Sequence, residues 1–427
     1  MFHLRSARPA LAWLLFLFLA SGQQLQAQQN GFSPPFYFSA PRSAWADDPA
    51  LAPGQAGNLE AVIIEAGAEG APDLPAGLRY IVVPDTANTR DSLSAALAGA
   101  NLLADGDVAL TFRPDWADTM AYPHIQMGVS HAAVIRTDNV TAYNIDMPLG
   151  PDYNNQQFDS QLNSRHYRDT TAIHILRPRR YGETERQQFR QLATDFVRQG
   201  QTIRQRNLLP FNGDYLTPLF TNLEITPQES VARFSAIIRS PDSQRAPMKM
   251  YCSEFVWHFL SANAAETGAT MFSPMPFIPA RGGMGMALGP LSVLTSGDNA
   301  SGVERRRGKS SRIFINSEAP QLSAGHRQVA REVAPLMRKL EVYYDAVIGG
   351  DTAVTIEGRS LQVTELGQML NSEIAPNYSP TTFLLNSFLP PAHPERVFDY
   401  LYTIYFAQAP RFEEAWSIGR EQSSTRP

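Results

Sequence analysis

The sequence predicts an α+β protein in which short strands precede a cysteine-bearing helix and a helical C-terminal region follows it. Three patterns carry that expectation. Residues 106–112, 128–136, 140–148 and 172–177 are short apolar runs rich in Val, Ile, Ala and Thr, bounded by Gly, Asp and Pro, as strands are. Residues 183–205 repeat apolar positions at helical spacing, with Phe189, Leu192, Phe196 and Val197 as an inner stripe beneath a charged face. In residues 250–260, Phe255, Val256, Phe259 and Leu260 fall at the i, i+1, i+4, i+5 spacing of one apolar helix face, with Pro247 just upstream.

From the start of the chain, residues 1–27 read as a secretory signal. Arg5 and Arg8 form a basic end, residues 10–20 an apolar core, and Leu25-Gln26-Ala27 offers a small-residue cleavage point before Gln28. That core is about 11 residues, short of the roughly 20 that span a bilayer, so the expectation is export to a periplasmic or secreted location, with no stable membrane span. No cysteine directly follows it, which reads against a lipid anchor. Residues 28–57, rich in Pro, Ala, Gly and Gln, read as a flexible arm. Residues 58–99 read as an N-terminal extension, with strands at 59–66 and 78–84 and a helix from 91 to 103. Residues 100–275 hold the candidate chemistry, 276–320 are a Gly/Ser-rich loop region, and 321–427 read as helical. In that last region Val329, Val333, Leu336, Met337 and Leu340 form one stripe, Leu366, Met369 and Leu370 another, and residues 397–406 are apolar and aromatic.

Composition narrows the function. A chain of 427 residues, 43% hydrophobic with formal net charge −5, buries one large core or two modest ones and lacks the basic stripe of a nucleic-acid binder. With 1 Cys it forms no internal disulfide, and an exposed free thiol in an oxidising compartment is a liability unless it is used or buried. No phosphate-cradling loop appears, because Gly282-Gly283-Met284-Gly285 has no following Lys-Ser/Thr in a strand-turn-helix setting. His124 and His131 with Asp115 or Asp118 are the only gathering that suggests a metal, without any HExxH, HxH or Cys pair, so neither metal nor cofactor is expected. The basic run Arg305-Arg306-Arg307-Gly308-Lys309 reads as a solvated loop, with contact to anionic headgroups as the alternative.

Cys252 sits in the first turn of its helix. Unpaired backbone N–H groups and the positive end of the helix dipole favour an anion there, so a nucleophilic thiolate is one reading. The other is a small buried hydrophobe, as free cysteines often are. A nucleophile requires a histidine supplied from elsewhere in the chain. His131, near the start of the second strand and beside small residues, is placed to face a neighbouring helix. Period-two alternation puts Asn144 and Asp146 on one face of the next strand, where either could orient the imidazole. His174 reads as a strand histidine with a local partner, and His258, six residues after Cys252, lies well round the helix from the thiol.

Gly106-Asp107-Val108-Ala109-Leu110, Ser130-His131-Ala132-Ala133-Val134-Ile135 and Tyr251-Cys252-Ser253-Glu254-Phe255-Val256 together resemble the sequence blocks of the circularly permuted NlpC/P60 cysteine hydrolases, papain-like amidases of the YiiX/YaeF/YebB type related to the lecithin:retinol acyltransferase group. The Tyr-Cys-Ser-Glu block is the specific one, and the resemblance spans about residues 100–270. His131 precedes Cys252 by roughly 120 residues, the order of the permuted arrangement. Two weaker echoes are Leu209-Pro210-Phe211-Asn212-Gly213-Asp214-Tyr215 and Ile145-Asp146-Met147-Pro148-Leu149-Gly150, and the latter favours Asp146 over Asn144 as third residue, where the family has Glu or His.

The resemblance implies a permuted papain-like core, an antiparallel sheet packed on the Cys-bearing helix, with residues 113–126 as a flap over the site. It also implies acyl transfer through a thioester with Cys252, His131 and Asp146. The implied partner is a peptide, amide or lipid substrate of the cell envelope, first a cell-wall peptide bond and second an acyl lipid. A non-catalytic envelope-binding module with Cys252 as packing is the alternative of a different class.

Overall fold

The computed structural model describes residues 42–51, 54–55, 59–65, 78–112, 131–138, 140–147, 160–161, 170, 172–212, 224–263, 351–373, 380–389, 391–394 and 396–424, and positions 339, 342 and 346. These residues are α+β, with seven α-helices and a mixed sheet. The strands are β1 (Gly54–Gln55), β2 (Val62–Glu65), β3 (Arg79–Pro84), β4 (Val108–Phe112), β5 (His131–Thr137), β6 (Ala142–Ile145), β7 (Ser160–Gln161), β8 (Ala172–Pro178), β9 (Ala353–Ile356), β10 (Arg359–Gln362) and β11 (Phe398–Ala407). The helices are α1 (Ala87–Gly99), α2 (Glu183–Gln205), α3 (Pro227–Arg239), α4 (Cys252–Asn263), α5 (Val363–Glu373), α6 (Pro380–Ser387) and α7 (Ala409–Ser424).

Nine strands form one sheet in the order β1-β2-β3-β11-β8-β4-β5-β6-β7, and β9 and β10 form a separate hairpin. Only β3 and β11 run parallel; every other pairing in the nine-stranded sheet is antiparallel. Strands from the expected N-terminal extension, the 100–275 core and the C-terminal region therefore share one sheet.

Alternation along the strands creates two cores. Val108, Leu110, Ala132, Val134 and Leu176 join the aromatic side chains of α2, α3 and α4, whereas Ala109, Ile135, Ile173 and Ile175 join Leu93 and Leu97 of α1. Phe189, Phe196, Phe234, Phe255 and Phe259 interlock on the first side, with ring centroids 5.3 to 6.0 Å apart. This cluster sets the direction of α4.

The C-terminal region corrects the sequence expectation of an all-helical segment. Residues 353–356 and 359–362 are strands, joined through Glu357 and Gly358 at positive φ, the geometry of a tight two-residue hairpin turn. Residues 398–407 form β11, paired with β8 on one side and β3 on the other. A strand buried on both faces is a near-continuous apolar run, so Phe-Asp-Tyr-Leu-Tyr-Thr-Ile-Tyr-Phe-Ala shows no regular alternation to separate it from a buried helix. The stripe from Val329 to Leu340 lies outside the described residues, as do residues 1–41, the 113–126 connection, the Gly-rich stretch at 282–285 and the basic run at 305–309.

The Gly-Asp block before β4 is a structural joint. Gly106 adopts φ +85°, and a Cβ there would lie 2.6 Å from the Tyr181 ring, so both its conformation and its space require glycine. Asp107 is wholly buried; its two carboxylate oxygens accept from Arg177 Nε (2.9 Å) and Nη2 (2.8 Å), and Oδ2 also accepts from the Ala104 N–H (2.8 Å). Burial would lower the Arg177 pKa, but the adjacent Asp107 carboxylate raises it above its ordinary value. Asp105, just before it in the chain, braces the same corner by accepting from the Thr137 N–H (2.7 Å) at the end of β5 and from Arg190 Nη2 (2.6 Å) of α2. Tyr181 donates to the Leu260 carbonyl (3.1 Å), tying this corner to α4.

Candidate active site

Helix α4 begins at Cys252, with Tyr251 preceding it as the cap. The Tyr251 carbonyl accepts from Phe255 N–H (3.0 Å), and its N–H donates to Glu254 Oε2 (3.3 Å), one half of a capping box. The thiol therefore stands at the first helical position, where its own backbone N–H lies beyond the reach of intrahelical bonding. The chain leading into it is anchored by residues 208–212, which run alongside 248–250 in parallel. Met248 N–H donates to Leu208 O (2.8 Å), Met250 N–H to Pro210 O (3.0 Å) and Asn212 N–H to Met250 O (2.9 Å). The Phe211-Asn212 echo thus lies beside the approach to the cysteine, while Gly213, Asp214 and Tyr215 lie outside the described residues.

His131 is the first residue of β5, and α4 packs against that strand. Asp146 follows the last residue of β6, the strand hydrogen-bonded to β5. His131 Nε2 lies 2.8 Å from Asp146 Oδ1. The Cys252 side chain also acts on the imidazole, and with Nε2 committed to the carboxylate, Nδ1 is the nitrogen left to face the sulfur. Cys252, His131 and Asp146 are 8%, 8% and 7% exposed, so the three share a nearly dry setting. Burial alone would lower the His131 pKa; the charges of Asp146 and Cys252, with their hydrogen bonds, overturn that and raise it from 6.5 to about 10.

Of the two candidates on β6, only Asp146 reaches the imidazole. Asn144 is fully buried, opposite Ile135 of β5 and Ser160 of β7, and neither its Oδ1 nor its Nδ2 has a hydrogen-bond partner among the described residues. An unsatisfied buried amide costs about 1–3 kcal/mol. Asn144→Val, which removes the amide and suits a buried strand, is expected to leave the urea midpoint unchanged or raise it; a loss above about 1 kcal/mol would show that the amide has a stabilising partner after all.

Among the described residues, His174 and His258 stand apart from this group. His174 Nδ1 is 2.8 Å from Thr403 Oγ1, which is 2.8 Å from the Tyr400 hydroxyl, a buried network across β8 and β11. His258 is buried between α3 and α4 with Nδ1 2.7 Å from the Glu254 carbonyl oxygen and Nε2 2.6 Å from Ser230 Oγ. A carbonyl only accepts, so Nδ1 carries the proton and Nε2 accepts from the Ser230 hydroxyl. Burial drives its pKa down to about 4, against a small opposing effect of the Glu254 carbonyl, and the ring is neutral at pH 7. Sequence reasoning sets His258 away from the thiol and misses its bond into the first turn of α4. The Tyr251-x-x-Glu254 spacing is the signal available.

Among the described residues no group of three or more His, Cys, Asp and Glu could hold a metal ion, and no helix is long and apolar enough to cross a membrane. His124, Asp115 and Asp118 lie outside the described residues, as does the expected signal segment. Compared with protein-family models, with curated proteins and with solved structures, the chain matches none.

Proposed function

We propose that the protein is a cysteine hydrolase with Cys252 as nucleophile, His131 as its base and Asp146 as the residue that orients the imidazole. One observation carries this reading: a single buried imidazole hydrogen-bonded to a carboxylate and acted on by the thiol at a helix start, the three side chains coming from segments distant in sequence. The reading extends to a permuted papain-like amidase. It is supported by the order His131 before Cys252, by the antiparallel run β8-β4-β5-β6-β7, and by the packing of α4 on β5.

The chemistry follows from these positions. With the pKa of His131 raised to about 10, the imidazole already holds the proton given up by the thiol, and the sulfur attacks the carbonyl carbon of an amide, forming a C–S bond and an oxyanion. The Cys252 backbone N–H stabilises that oxyanion. As the intermediate collapses the C–N bond breaks, the imidazolium gives its proton to the departing amine, and a thioester remains. Water then attacks the thioester, its proton passing to His131, and the C–S bond breaks to release the acid. Asp146 holds Nε2–H throughout, fixing the tautomer that leaves Nδ1 to exchange the proton.

The substrate we propose first is a cell-wall peptide amide, and second an acyl lipid of the envelope. The test uses purified wall fragments and a phospholipid panel, each with wild type and with Cys252→Ala. Release of a new amine from wall peptide by wild type alone supports the amidase. Release of fatty acid by wild type alone redirects the reading to a lipid acyl hydrolase or acyltransferase, and cleavage that survives Cys252→Ala ends the nucleophile assignment.

A further inference from the structure

Besides Cys252, the first turn of α4 holds a buried carboxylate, Glu254, and its next turn a buried neutral imidazole, His258, neither of which is used in the chemistry above. Both lie at 0–1% exposure, where an ionisable or polar group persists only if its bonds are made. Their bonds link α3 to the first turn of α4, entering at the Glu254 backbone carbonyl and leaving from its side-chain carboxylate. Ser230 Oγ–H donates to His258 Nε2 (2.6 Å), His258 Nδ1–H donates to the Glu254 carbonyl (2.7 Å), and Glu254 Oε2 accepts the Tyr251 N–H (3.3 Å). Ser230 is itself held, because α3 is closed by a full capping box between Thr226 and Glu229 and the Ser230 N–H donates to Thr226 O (3.0 Å).

The Tyr251–Glu254 end of this path brackets the nucleophile. Tyr251 is pinned on one side of Cys252 and Glu254 on the other. The residues between them have little freedom left to turn the Cys252 Cα–Cβ bond or to swing its N–H. A misplacement of about 1 Å at such a group is enough to cost about a hundredfold in rate. We propose that Glu254, His258 and Ser230 are positioning residues that aim the Cys252 thiol and backbone N–H at His131 and the reacting carbonyl, so that the packing of α3 on α4 is read out as nucleophile geometry. This rests on Cys252 and His131 acting as the nucleophile and base.

The test needs no substrate. Iodoacetamide labelling of the folded full-length protein is followed at pH 6 and pH 9, both below the value of about 10 at which His131 gives up its proton. A free cysteine gains on the order of a hundredfold in rate over that interval. Wild type, with its thiol aimed at His131, is expected to gain less than about tenfold. Glu254→Ala, with the Tyr251 N–H released, is expected to increase that gain at least about tenfold, and Ser230→Ala to increase it in the same direction. Glu254→Gln keeps an oxygen acceptor for the Tyr251 N–H and is expected to behave like wild type. A role in stability alone would lower the melting temperature and leave the pH 6 to pH 9 gain untouched.

The proposal is overturned if Glu254→Ala and Ser230→Ala label with the wild-type profile, or if Glu254→Gln is as altered as Glu254→Ala. Should Glu254→Ala fail to fold, Ser230→Ala and Glu254→Gln decide alone. Failure of the underlying nucleophile reading looks different: wild type itself then shows the full free-cysteine gain, and His131→Ala changes nothing.

Discussion

Replacing His131 with alanine is expected to slow alkylation of Cys252 at pH 7 by about tenfold and to lower turnover of the true substrate by about 10²–10⁴, the usual worth of a positioned general base. The imidazole lies 2.8 Å from the carboxylate and is acted on by the thiol, with all three side chains nearly buried, and in the proposed mechanism it both activates the sulfur and carries the proton to the leaving group. Asp146→Asn is expected to keep the fold while reducing turnover by a smaller factor, because an amide can still accept from Nε2–H but no longer stabilises the imidazolium. Alkylation of His131→Ala at the wild-type rate would show that the thiol is activated by something else.

The pH dependence follows from the same contacts. The His131 pKa is raised in the folded protein, so its contribution to stability is fully present below the unfolded value near 6.5 and is lost as pH rises through about 10. Between those limits wild type is expected to lose stability with rising pH, and His131→Ala to lose less. The difference between the two urea-midpoint profiles isolates the histidine, and parallel profiles from pH 6 to pH 10 would contradict the assigned contacts.

Removing the Asp107 carboxylate is the second change with a large expected effect. Asp107→Ala leaves Arg177 without its two-oxygen partner and the Ala104 N–H without its acceptor, where the carboxylate itself was fully buried. Breaking a buried pair from one side costs about 3–5 kcal/mol, more than Asp107→Asn, which keeps one acceptor oxygen. Arg177 retains contact with Asp48 at 3.4 Å and its side chain is 22% exposed, so the lower end of that range is expected. A urea-midpoint change equivalent to under about 1 kcal/mol would mean that the corner before β4 is not held by this pair.

The sequence disclosed what is local. α2 is observed at Glu183–Gln205, the span its apolar stripe outlined, because an amphipathic period of that length has no strand interpretation. Cys252 falls at the first helical position because the apolar stripe of α4 could be counted back to it. Asp146 against Asn144 was narrower. Alternation put both on one face, but the strand ends at Ile145, which frees Asp146 to reach His131 while Asn144 stays in the ladder between β5 and β7. What escaped was tertiary. The bond from His258 to Ser230 joins residues 28 apart on different helices, and the pairing of β11 with β3 joins segments more than three hundred residues apart, neither with any trace in local periodicity.

The position of β11 has a consequence for how the molecule comes into being. The strand that lies fourth from one edge of the nine comes from residues 398–407, later in the chain than every other strand of that sheet. Until it arrives, β3 and β8 each present an unsatisfied edge, and the front and back halves of the sheet have no common partner. Assembly of such a long-range wedge is slow, and a chain that stops before residue 398 would expose two sticky borders rather than lose a mere appendage.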